Sequence, residues 1–218
     1  MVNKYEITNE VHRQDRKLRR IRALRDIPRY KVKAGDLGGW IESEKNLAQE
    51  YDAWVADNAR VYGNARVFGN ARVFNDALVL GNAWVEGYAE VSGNAWVYGF
   101  ALVDGYAEVS GNAWVFEDAH IYDKAWVFGK AYVYGKARVY DSTEVSGNAR
   151  VFGNAQVFGK AYVYGKARVY DEARVYDDAF VYGDASVSGD AQVFDDALVY
   201  GNAHVSGDTV VSGDEHVS

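Results

Sequence analysis

The pattern of apolar and polar positions changes character at residue 53. From Ala53 onward every sixth residue is alanine, replaced only by Thr143, Thr209 and Glu215. Two positions after each comes valine, with Ile121 the one substitute, and the register holds for twenty-seven steps from residue 53 to residue 215. Alternate side chains of a strand share a face, so Ala and Val point one way, and the residue between them and the one after Val point the other. The Ala/Val face is the expected interior. Gly-Asn, Gly-Asp and Gly-Lys pairs close the hexads, because glycine accepts positive φ and Asn or Asp tolerates it. Each hexad therefore reads as one short strand and one corner. A fixed short period held over most of a chain marks a solenoid, and six is the period of parallel β-helices. Three hexads make a triangular coil, about nine coils in all, and at ~4.8 Å per coil the rod is ~45 Å long.

Residues 1–52 do not obey the hexad. Lys4-Tyr5-Glu6-Ile7-Thr8 alternates as a strand does, whereas Lys17 to Leu24 fits a short strand or a helical turn equally. Asp26-Ile27-Pro28 is a break, and Gly35, Gly38 and Gly39 supply turns ahead of Trp40 and Ile41. Ile41 and Leu47 lie six apart in step with Ala53, which predicts an irregular opening coil. A solenoid needs a terminal unit over the exposed end of its core. The expected organisation is a capping segment at 1–36, an irregular first coil at 37–52 and the repeat at 53–218.

Composition narrows the function classes. The chain has no cysteine, which excludes disulfides, thiolate metal sites and a cysteine nucleophile. Met1–Glu6 lacks the apolar run of a signal peptide and no stretch resembles a membrane span, so cytoplasmic residence without a membrane partner is the expectation. Net charge is −7 but uneven: residues 1–50 hold twelve Lys/Arg against eight Asp/Glu (+4), and residues 170–218 hold one Arg against eleven Asp/Glu (−10). An acidic body argues against direct nucleic-acid binding, which needs clustered Lys/Arg. The basic run Arg13 to Arg25 reads first as a solvated strand face.

The aliphatic residue followed four positions later by a small one, as in Val61…Ala65 and Val67…Ala71, resembles the hexapeptide-repeat proteins over about three quarters of the chain. That resemblance implies an all-β fold, a left-handed parallel β-helix. The segment Lys33-Ala34-Gly35-Asp36-Leu37-Gly38-Gly39-Trp40-Ile41-Glu42 is similar to segments in uncharacterised bacterial and phage proteins often labelled acyltransferases. Acyltransferases of the family use a histidine base beside an acyl-CoA-holding loop, and no insertion interrupts the repeat here. His120, His204 and His216 all occupy the outward position between Ala and Val, on three different sides, so no two converge. His120 has Glu117 and Asp118 beside it to orient its ring and is the one base an acyl-transfer reading would use. The zinc-dependent carbonic-anhydrase branch needs three histidines at a spacing absent from this chain.

The outward positions form columns eighteen residues apart. Tyr98, Phe116, Tyr134, Phe152 and Tyr170 make one, Tyr122, Tyr140, Phe158, Tyr176 and Phe194 a second, and Tyr164, Tyr182 and Tyr200 a third. Trp96, Trp114 and Tyr132 stack between Ala and Val, and Tyr88 and Tyr106 at a corner. Such ladders stabilise a sheet by ~0.5–1 kcal/mol per pair. They also offer apolar surface on the scale of several hundred Å2, which suits homo-oligomerisation through the walls or rod ends, or a protein partner. Asp177, Asp178, Asp195 and Asp196 form corner columns that repel unless a cation such as calcium bridges them, and the simpler reading is solubilising charge. The sequence thus reads as a non-catalytic rod for structure or protein binding, with no cofactor and no metal site. Acyl transfer from a CoA thioester and an acidic surface imitating nucleic acid are the alternatives.

Overall fold

The structure, a computed structural model, describes residues 3–218. It is an all-β parallel solenoid with three walls. Beyond residue 53 there are twenty-eight strands of two residues each, from Trp54–Val55 to His216–Val217, one every six residues. They sort into three parallel sheets. The first wall runs through Arg60–Val61 to His204–Val205, the second from Arg66–Val67 to Val210–Val211 in nine strands, and the third from Trp54–Val55 to His216–Val217 in ten. Partners are eighteen residues apart, as Trp96 opposite Trp114 shows. The chain makes about ten turns, the nine regular coils expected plus the irregular first.

Each strand has the Ala/Val pair inside. Apart from the last coil, every alanine and valine of the repeat is essentially inaccessible to solvent. Backbone groups are closed from coil to coil: the Trp84 amide donates to the Ala101 carbonyl at 2.9 Å and the Phe68 amide to the Val85 carbonyl at 3.1 Å. Thr143, the one buried substitute in an alanine row, donates its hydroxyl to the Tyr140 carbonyl at 2.8 Å, so no polar atom is stranded in the dry core. At the corners the fifth hexad residue has positive φ. Where it is acidic instead of glycine, its side chain usually accepts an amide of the next coil: Gly159 donates to Asp141 Oδ2 at 3.0 Å and Gly135 to Glu117 Oε2 at 2.8 Å.

The N-terminal part is antiparallel. β1 (Tyr5–Val11) pairs with β2 (Arg19–Ala23), and β2 pairs with β3 (Leu37–Ile41), which runs parallel to Arg60–Val61 and joins the whole unit to the first wall. The Lys17–Leu24 segment is thus a strand and not a helical turn. Held between two strands, it alternates buried Ile21 and Ala23 with outward Arg20 and Arg22.

The hairpin replaces a missing preceding coil. Carbonyls that would accept amides from that coil are met by side chains instead: Lys4 Nζ donates to Ala53 at 2.7 Å and the Tyr5 hydroxyl to Leu47 at 2.7 Å. A second arm clasps the side of the rod. The Tyr30 hydroxyl donates to the Asn70 carbonyl, Arg29 lies 4.4 Å over the Tyr88 ring, and Arg72 lies between Tyr30 and Phe74.

The structure corrects one phase assignment. Ile41 and Leu47 stand opposite Val61 and Val67, twenty residues on, so they occupy valine rows and not the alanine rows that six-residue counting from Ala53 implies. The first coil carries two extra residues between Leu47 and Val55, near the exposed, positive-φ Tyr51. Alanine and valine rows are two residues apart, so an insertion of two converts one phase into the other without disturbing the count.

Candidate interaction surface

The outward columns align as the eighteen-residue register dictates. Tyr98, Phe116, Tyr134, Phe152 and Tyr170 stack at centroid spacings of 4.8 to 4.9 Å with planes within 3°. Tyr122, Tyr140, Phe158, Tyr176 and Phe194 stack at 4.7 to 5.0 Å, and Tyr164, Tyr182 and Tyr200 at 5.0 and 5.3 Å. Burial, with Tyr140 next to it, pushes the Tyr122 phenol up to about 12. Trp96 and Trp114 are parallel at 4.9 Å, but Tyr132 tilts 45° out of that stack. Its next neighbour is Arg150, 5.7 Å from its ring, and with no aromatic to continue the column the phenol tips toward the guanidinium. Tyr162 and Phe180 form a further stack, at 4.8 Å, visible in the sequence at the same eighteen-residue offset.

Stacking decides how much of these rings is left for a partner. In the two five-ring columns and the stack of Trp96, Trp114 and Tyr132, only Trp96 is exposed, and the other twelve rings are half-buried, largely against one another. The most open aromatic rings of the repeat are Phe100 at 67%, Tyr106 at 57% and Trp84 at 43%. Phe100 and Trp84 belong to no column named from the sequence, whereas Tyr106 stacks on Tyr88 as expected, at 4.8 Å with planes within 3°. Trp84 and Leu102 belong to strands of the second wall, Phe100 lies at the corner before it and Tyr106 at the corner after it. Arg66, Trp84, Phe100 and Leu102, with Asn64 and Asn82, enclose a groove of about 460 Å3. The signal for this patch was the interruption of ladders: Phe100 has Asn82 and Asp118 as column neighbours, so nothing aromatic covers its faces.

The same wall carries a polar group. His120 Nε2 lies 3.3 Å from Asp104 Oδ2, and the His120 ring lies 4.3 Å from that of Tyr122. Burial, and then Asp104, raise the Glu86 carboxyl, with His120 opposing. The expected partners Glu117 and Asp118 do not orient the imidazole. They sit in the corner, where Glu117 accepts the Gly135 amide, while Asp104 reaches His120 diagonally from the neighbouring strand. His204 and His216 lie on the first and third walls, so the three histidines are separated.

Asp195 Oδ2 accepts the Gly213 amide at 3.2 Å, and Asp178 faces Lys160 at 3.9 Å. Among the described residues no group of three or more His, Asp or Glu side chains is arranged to hold a metal ion. Nor, among the described residues, is there a helix long and apolar enough to cross a membrane.

Short strands, three parallel walls and a continuous Ala/Val core define a β-solenoid repeat protein. Four stretches, residues 59–73, 145–159, 173–189 and 191–207, match the family model described as YdcK beta solenoid repeat, and together they cover under a third of the chain. No curated protein matches the chain.

Proposed function

We propose that the chain is a rigid, non-catalytic rod of the left-handed, hexapeptide-repeat kind that acts in the cytoplasm as an assembly or protein-binding module, docking through its second wall. The observation that carries this reading is the exposed pair Trp84 and Phe100 beside a groove on that wall. Large aromatics left open on a wall that elsewhere covers its rings by stacking are the usual anchors of an interface. A second copy of the chain is the simplest partner, because homo-oligomers dominate soluble assemblies.

Sedimentation and light scattering across a concentration range test it. Expected is a mass above 24.2 kDa that returns to 24.2 kDa in a Trp84→Ser, Phe100→Ser double variant. A monomer at every concentration, identical in both proteins, overturns self-association. What weighs against acyl transfer is that the three histidines of the repeat stand on three walls. A thermal shift with millimolar acetyl-CoA that is lost in His120→Ala would favour that reading instead. Salt-sensitive capture of a basic DNA-binding protein by the acidic distal coils would favour imitation of nucleic acid.

A further inference from the structure

We infer that the cleft between the tip of the β1–β2 hairpin and the first wall is a binding site for a small organic oxyanion, carrying phosphate or carboxylate. The argument is independent of docking through the second wall. The outward row of the first wall begins Arg20, Trp40, Arg60 on three adjacent strands. Adjacent strands are ~4.8 Å apart, so two guanidinium-bearing residues flank one indole within ~10 Å. The hairpin tip, with His12 and Arg13, forms the opposite side, and the open cleft between them has a volume of about 660 Å3. That lies within the range of small-ligand pockets.

Three observations separate this cleft from an ordinary basic surface. First, Arg20, Arg60 and Arg13 make no ion pair among the described residues, whereas Arg22 pairs with Glu6 at 3.3 Å and Arg25 with Asp52 at 3.6 Å on the same unit. Second, the Arg20 Nε is buried without an acceptor, as is the Arg72 Nε under the second arm, and of these two unmet donors only that of Arg20 belongs to a residue lining the cleft. Third, the arrangement is fixed in advance: Arg20 lies 4.9 Å over the Trp40 ring, and the His12 ring meets that indole edge-on at 4.9 Å. Trp40 itself is 7% exposed, so the platform is rigid.

A pre-positioned guanidinium fork matches phosphate and carboxylate oxygens bidentately. Burial, followed by Arg60, holds the His12 imidazole below its usual value, so near neutral pH it offers a neutral hydrogen-bonding nitrogen and not a further cation. Glu10 and Asp76 also line the cleft. With them the lining is only mildly positive, which selects a ligand of low charge, such as a phosphate monoester or a dicarboxylate, over a polyphosphate or nucleic acid.

Calorimetric titration at low ionic strength with inorganic phosphate, malate, AMP and, as the uncharged control, adenosine tests the site. At least one of the three anions is expected to bind saturably while adenosine does not, and the pattern among them separates phosphate from carboxylate sources. Arg20→Ala, Arg60→Ala and the exposed-tip variant Arg13→Ser should each weaken binding by about tenfold, equivalent to ~1.4 kcal/mol. Arg20→Lys, which keeps the charge and loses the fork, should weaken it too, and Arg22→Ala should not. Circular dichroism confirms that each variant is folded. No saturable heat with any of the three anions, or binding unchanged in Arg13→Ser and Arg60→Ala, overturns the assignment.

Discussion

Replacing Val133 by aspartate probes the premise on which the rod rests. Val133 is fully buried and lies in register between Val115 and Val151. Its loss removes ~1.5–3 kcal/mol of apolar burial. The new carboxyl finds a wall of methyl groups on either side and costs a further ~2–7 kcal/mol even when it takes up a proton to enter. The total, ~3.5–10 kcal/mol, compares with about 2 kcal/mol for Val133→Ala, which creates the void without the charge. Coils of a solenoid contact only their neighbours, so the damage should divide the rod into two units and split one unfolding transition into two. Urea unfolding followed by circular dichroism reads the transitions, and limited proteolysis should cut near residues 125–142. Burial raises the new carboxyl's pKa, so the destabilisation should be smaller at pH 4 than at pH 8. A Val133→Asp protein with the parent's midpoint and a single transition would refute the inward assignment of the valine rows.

Three further outcomes are expected. Phe116→Ala removes stacks on both Tyr98 and Tyr134 and should cost ~1–3 kcal/mol in chemical denaturation, against less than half that for Phe100→Ala, whose ring faces solvent. Burial, then Arg25, with Asp52 and Glu50 opposing, lowers the Lys4 ammonium from 10.5 to about 8. The unfolded chain binds the extra proton between those values, so thermal stability should rise with pH across that window and the rise should vanish in Lys4→Met. The raised Tyr122 phenol acts with the opposite sign, lowering stability as pH climbs above 10 in both proteins. Gly159→Ala should destabilise by several kcal/mol, because φ is +74° and a Cβ there meets the Asp177 amide nitrogen at 2.6 Å. Gly201→Ala, at φ +62° with no atom within 4 Å, should cost only about 1 kcal/mol, and equal melting points for the two would show that coil-to-coil contact at the corners is not tight.

Much of the interface question was decided by side-chain conformation. The columns Tyr98 to Tyr170 and Tyr122 to Phe194 were legible at an offset of eighteen, but a column does not tell whether its rings cover one another or face solvent. Tyr132 shows the limit: the position is right, and the neighbour Arg150 turns the ring. His120 shows it again, since adjacency along the chain suggested Glu117 while the strand pairing delivered Asp104. The cleft at Arg20, Trp40 and Arg60 had no periodic signature, because the spacings joining these residues are twenty and not eighteen.

Through its six-residue period the amino-acid order by itself determined the core: one short strand and one corner per hexad leave a single way to bury Ala and Val together, repeated until the chain ends. Tertiary structure decided what has no period. How the hairpin closes the first coil, where two inserted residues shift the phase, and which rings stay open all depend on contacts between segments that follow different rules, and local pattern carries no information about those contacts.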